Sequence, residues 1–230
     1  MTMTTGRRLL LSALLAAAIA PVAAQQTPEQ RYFDWTELPF PPSEYAARRT
    51  ALSSALRASG GGVFLSPAAA GVSAGFTFRQ LDTFWYLTGL EFPDAVAALD
   101  SDRGVTIVYA PARDARFENA ARRNDLPGRP LQADSSIGAR AGLPDIRPLA
   151  QLDAELAAWV AEGRLLRVDP GSPAALARPA VNRPQPAAPL DHFATWLTRQ
   201  QPAARVQSAY REVALTRMVK SPAEVAMMRR

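Results

Sequence analysis

The 230 residues contain no cysteine and a single histidine, His192, so serine and carboxylate are the main side chains that could do bond-breaking chemistry. Without cysteine there is no thiolate nucleophile, no thiolate metal site and no disulfide framework. One imidazole excludes any self-contained site that needs two. Gly71-Val72-Ser73-Ala74-Gly75 fits G-x-S-x-G, the nucleophile elbow. That chemistry needs a strand before the serine, a helix after it, and an acid and a histidine later in the chain. Here Pro67-Ala68-Ala69-Ala70 precedes and the strand-like Phe76-Thr77-Phe78 follows, so the stretch reads as a loop. Gly60-Gly61-Gly62 comes before a strand rather than after one, the reverse of a phosphate-cradling loop, and reads as a helix terminator. Asp82, Asp94, Asp100, Asp102 and Asp114 are scattered over helix starts and turns, where carboxylates cap backbone N–H groups. A cation would need such ligands to converge on rigid elements. His192, beside Asp191 at a helix start, reads as a surface or capping residue.

The densest cluster runs from Phe76 to Gly89, with five aromatics among fourteen residues. Arg79, Gln80 and Asp82 interleave with the rings, so they must hydrogen-bond locally or face a cleft. The run reads as an aromatic-packed corner that also presents a wall to a neighbouring domain.

Alternating elements position this cluster. Apolar residues at helical spacing predict a helix over 43–58, with Ser43 as its N-cap, and Val63-Phe64-Leu65 is a short buried strand. The apolar runs 95–99 and 105–109 around a polar, Gly-ending connector predict a β-hairpin. Residues 114–124 look helical and 127–130 a turn; 149–161 carries a clear apolar helix face and 165–168 a strand. The stretch 170–189 is proline-rich and reads as a loop or semi-rigid spacer. A helix over 191–199 and a strand over 205–208 follow. Strands alternating with helices, interrupted by one hairpin, predict an α/β domain with a mixed β-sheet flanked by helices. Near the end, Ser221, Pro222 and Glu224 spell a capping box that opens another amphipathic helix.

Composition agrees with a folded domain: 48% hydrophobic and 20% charged residues, with a formal net charge of +5. Lys220 is the only lysine, and basic and acidic residues are interspersed, which gives no footprint for nucleic acid. Arg7 and Arg8 precede a twelve-residue apolar run, Leu9 to Ala20, and Val22 and Ala24 occupy the two selective positions of a cleavage pattern. This reads as a secretory signal over 1–24, removed before Gln25, with export to the periplasm or medium and no stable membrane insertion. The remaining divisions are a lead-in over 25–42, a domain over 43–208 with its spacer at 170–189, and 209–230 as a linker with the first turns of a further domain.

Arg79-Gln80, Asp82, Phe84-Trp85-Tyr86-Leu87-Thr88-Gly89 and Pro93-Asp94-Ala95 resemble the N-terminal domain of Xaa-Pro aminopeptidase (aminopeptidase P). Tyr45-Ala46-Ala47-Arg48-Arg49 is similar to the family's first helix. Val105–Tyr109 with Arg113-Asp114 and Glu118–Arg123 resembles its next block, and Val219–Arg230 the junction where its catalytic domain begins. The resemblance implies a mixed-sheet fold like that of creatinase and prolidase. It implies an enzyme releasing an N-terminal residue before proline, with manganese held in a pita-bread catalytic domain whose ligands have no counterpart in these residues. The N-terminal domain would shape the active-site cleft and the oligomer, with Arg79, Asp82, Trp85, Tyr86, Arg122 and Arg123 facing cleft or interface. Its partners would be its own catalytic domain or a homologous subunit, and proline-containing peptides through the whole enzyme. A stand-alone accessory protein pairing with an aminopeptidase is the other reading. The family often has a tryptophan between the acid matched by Glu118 and the arginines matched by Arg122 and Arg123; Asn119-Ala120-Ala121 stand there instead. The signal reading predicts a mature protein beginning at Gln25, which N-terminal sequencing of exported material checks; a product retaining Met1 contradicts it.

Overall fold

A computed structural model describes residues 38–70, 80–91, 93–111, 138–139, 141–169 and 189–229, side chains of 189–192 excepted. The signal sequence, the helix read over 114–124 and nearly all of the proline-rich spacer lie outside these residues. The elements run α1 Pro42–Ala58, β1 Val63–Pro67, α2 Asp82–Thr88, β2 Val96–Asp100, β3 Val105–Ala110, β4 Asp145–Pro148, α3 Leu152–Ala161, β5 Leu165–Val168, α4 Pro189–Gln200, β6 Arg205–Ser208, α5 Tyr210–Met218 and α6 Pro222–Met228. One six-stranded sheet has the order β4-β3-β2-β1-β5-β6. β2 pairs antiparallel with both β1 and β3, whereas β3–β4, β1–β5 and β5–β6 are parallel. The sheet is therefore mixed, as the pattern predicts, and the hairpin supplies its reversed strand.

Period-2 alternation sends each strand's side chains to two helical layers. Val63, Leu65, Val96, Ala98, Ile107, Tyr109, Leu166 and Val168 pack with Leu152, Leu156 and Trp159 of α3 and Ala194 and Leu197 of α4. The opposite face divides in two. Ala97, Val108 and Ala110 pack with Phe84 and Leu90; Phe64 and Leu99 pack with Leu52 and Leu56 of α1, Leu87 of α2 and Val213 of α5. Each fully buried Leu, Val or Phe contributes about 1.5–3 kcal/mol, so both layers are needed to hold the strands.

Two charged groups inside this frame tie elements together. Asp100 Oδ1 accepts from Asp102 and Arg103 N–H, each at 3.0 Å, and from Arg164 Nη2 at 2.7 Å, which ties the hairpin turn to the entry of β5. Hydrogen bonding to Asp100 raises the Arg164 pKa. Arg167 interrupts the apolar run of β5, and its Nη2 meets Glu212 Oε1 of α5 at 2.8 Å and Ser59 Oγ at 2.7 Å.

Four local readings change. Pro42 takes the first turn of α1 and Pro41 its N-cap with ψ 156°, so Ser43 lies inside the helix; proline's fixed φ suits the first helical turn and displaces the serine. The aromatic run over 82–88 is a helix rather than a corner. β4, a charged edge strand ending at Pro148, adds a strand that the sequence pattern does not predict. Residues 210–218, assigned to a linker, form α5 with Val213 in the core. No helix among the described residues is long and apolar enough to cross a membrane.

Candidate functional site

The site is organised by two adjacent arginines on α1. Arg48 and Arg49 are 3% and 7% exposed, far below what guanidinium groups normally accept. Both point at the C-terminal end of α2, where the last four carbonyls of a helix lack partners within it. Arg48 Nη1 donates to Tyr86 O at 3.2 Å and Arg49 Nη1 to Leu87 O at 2.9 Å. The Trp85 carbonyl is taken by Gly89 N–H at 2.7 Å. Arg49 also donates to the carbonyls of Ala141 (3.2 Å) and Gly142 (2.6 Å). Burial lowers its pKa to about 10, still far above neutrality, so it remains a cation held by carbonyl dipoles. Arg48 sits over Phe40 and Tyr86 at 4.3 and 4.5 Å and near Tyr45 at 5.3 Å, geometry suited to cation–π attraction. Its Nε donates to Glu44 Oε1 at 3.1 Å.

The Thr-Gly that closes the aromatic run has a defined task. Thr88 Oγ1 donates to Phe84 O at 2.7 Å and accepts from Leu90 N at 3.1 Å. Gly89 is left-handed at φ 70°, and a Cβ placed there would lie 2.4 Å from Tyr45 Cζ. Burial pushes the Tyr45 phenol up to about 12, so it is neutral at physiological pH.

At the other end of α2 a cleft of about 690 Å³ is lined by Gln80, Asp82, Thr83, Asp169, Tyr210 and Arg217, among others. Asp169 directly follows β5 and Tyr210 lies two residues past β6, so the cleft sits beyond the carboxyl ends of parallel strands, a common place for ligand sites. Gln80 Oε1 accepts from Ala69 N (2.6 Å) and Leu81 N (2.9 Å), and Thr83 Oγ1 donates to Asp169 Oδ2 at 2.7 Å. These groups can orient a polar ligand. The described lining residues include no nucleophile–base pair, and among the described residues no three His, Cys, Asp or Glu side chains come together as metal ligands. Asp100 and Asp102 are engaged by Arg164, and Asp145 and Glu155 by Arg147.

Of the residues singled out from the sequence, α2 brings three together. Asp82 is exposed and meets Arg217 Nη2 at 3.4 Å, a solvent-screened contact worth little. Trp85 is half-buried. Tyr86 is 9% exposed and donates its hydroxyl to Thr216 O of α5 at 3.1 Å. Burial, then Glu224, raises its pKa. Arg79, Arg122, Arg123, the Gly71–Gly75 motif and Asp114 lie outside the described residues, and so does the His192 side chain. Sequence reasoning missed Asp169 and left Arg48 and Arg49 as part of a helix signature. The signal available was two consecutive arginines flanked by apolar positions on one helix.

Comparison with known proteins then places the chain. The family model described as aminopeptidase P, N-terminal domain, matches residues 45–164, just over half of the sequence. The chain belongs to the aminopeptidase P N-terminal domain family. It is similar in fold to Pseudomonas aeruginosa aminopeptidase PepP, with a TM-score of 0.60 and 24% identity over 84% of this chain. Escherichia coli aminopeptidase P in its low-pH form gives 0.56 and 20% over 83%. The zinc-substituted E. coli enzyme in complex with product gives 0.54 and 20% over 83%. At these identities the likeness establishes the fold. This chain spans 42% of the length of each of the three. No curated protein sequence matches it. The family's Phe-Trp-Tyr-Leu-Thr-Gly signature is thus a helix and its αL cap, and Gly89→Ala should cost roughly 3 kcal/mol from clash and positive φ together. Gly104→Ala, at φ 69° with open space around it, should cost only about 1 kcal/mol. Equal midpoint shifts in urea would contradict this reading of the motif.

Proposed function

We propose that this chain forms the N-terminal, non-catalytic unit of an exported, manganese-dependent Xaa-Pro aminopeptidase, and that it shapes one wall of the active-site cleft and part of the oligomer. The observation that carries the reading is the family match over 45–164. The solved relatives support it, since their names give the aminopeptidase activity and one was studied with zinc substituted and product bound. Manganese, when bound, supplies Lewis acidity and an activated water; in this reading it belongs to a separate catalytic unit.

What this chain's own residues would do is hold a surface. Arg48 and Arg49 fix α2, whose outer side carries Asp82 and Trp85, and Tyr86 fixes α5 beside it. Along α5 and α6, Leu215, Met218, Val219 and Met228 are 51%, 70%, 80% and 72% exposed. Exposed apolar side chains gathered in one stretch of chain suit a contact surface, and here they would meet the catalytic unit, in the same polypeptide or in a homologous subunit. Export rests on the N-terminal sequence pattern.

Purified 25–230 with manganese and a proline-second peptide should release no N-terminal residue. Metal-stimulated release by this chain alone contradicts the assignment of catalysis to another unit.

A further inference from the structure

Helix α6 has seven residues and none of them is buried. A helix of that length is unstable by itself, so something outside it must hold it. One carboxylate is placed to do so. Glu224 stands at the third helical position, where its Oε2 accepts from Ser221 N at 2.9 Å while Ser221 Oγ accepts from Glu224 N at 3.1 Å, a complete capping box. The other oxygen, Oε1, lies 3.2 Å from Arg48 Nη2. Arg48 Nη2 is buried and has no aligned hydrogen bond, so this contact is an ion pair set by distance and charge. The Arg48 socket is built by other elements: Phe40 ahead of α1, Tyr45 and Glu44 on α1, and Tyr86 on α2. Glu44 offers one carboxylate to Nε of a guanidinium that is 3% exposed, and Nη2 of that guanidinium faces Glu224.

We propose that Glu224 makes α6 a releasable strap, its helix start and its docking onto Arg48 coupled through one side chain. The same carboxylate that terminates the first turn plugs the socket, so α6 forms when docked and frays when released. The three-layer unit does not depend on it, because α6 contributes no residue to the core clusters. The strap would set the direction in which the chain leaves α5. It stands on contacts within this chain and holds whether or not a catalytic unit follows.

The test is amide hydrogen exchange on the whole chain, comparing wild type, Glu224→Gln and Ser221→Ala. Glutamine can still accept from Ser221 N, so Glu224→Gln isolates the loss of charge at the socket. Protection at Val225–Met228 should fall about tenfold, as for loss of a charged contact, while β1 and β5 amides keep their protection. Ser221→Ala removes the cap but keeps the charge and should cost about fivefold in the same segment. Wild-type protection at Val225–Met228 with no change in Glu224→Gln overturns the proposal, and so does an unprotected α6 in wild type. Equal loss in β1 and β5 also overturns it, because the contact would then belong to global stability.

Discussion

A short helix ends inside the protein with its carbonyls pointing at two guanidinium groups, and most of what this unit presents depends on that contact. A helix of seven residues pays too much entropy for too few internal bonds to survive alone. Buried carbonyls left unpaired would add about 1–3 kcal/mol each. Arg48, Arg49 and Gly89 together satisfy the carbonyls of Tyr86, Leu87 and Trp85. The reciprocal problem, a buried cation, is solved by the same geometry, since helix C-terminal carbonyls carry partial negative charge. Arg49 is held by three carbonyls, those of Leu87, Ala141 and Gly142.

This contact links three levels. At the level of sequence it joins Arg48-Arg49 to a signature about forty residues away. In packing it clamps α1 to α2 over Phe64 and Leu99 of the sheet. In function it fixes the side of α2 that carries Asp82 and Trp85 and the tyrosine that holds α5. The exposed Asp82–Arg217 pair is too solvated to organise that surface, whereas the buried arginines are not. Surface presentation therefore rests on interior electrostatics.

The parts legible from sequence were those written in local rules. The hairpin appeared because two apolar runs flank a turn ending at Gly104. α3, β5 and β6 followed from periodicity, and the capping box at Ser221 from its residues alone. α2 was not legible as a helix: three aromatics and two threonines in seven residues have weak helix propensity, and the element exists because distant arginines cap it. β4 hid because Asp145-Ile146-Arg147-Pro148 is only four residues long, has Ile146 as its one apolar side chain besides proline, and sits at an edge, where proline is tolerated. Arg167 is a buried charge within β5, and its partner Glu212 on α5 is distant in sequence. Of the candidate site, Asp82, Trp85 and Tyr86 were found through family signature rather than physics. Asp169 was invisible because its importance comes from the strand order that brings β5 beside β1.

The claim that interior guanidinium groups hold the presented surface is tested most directly by urea unfolding of Arg49→Met, which keeps most of the side-chain volume and removes every donor. Loss of about 3 kcal/mol or more, with the protection of α2 amides falling alongside, is the result predicted from three orphaned carbonyls. A variant within 0.5 kcal/mol of wild type, with α2 intact, would show that apolar packing suffices there and that the arginines are incidental.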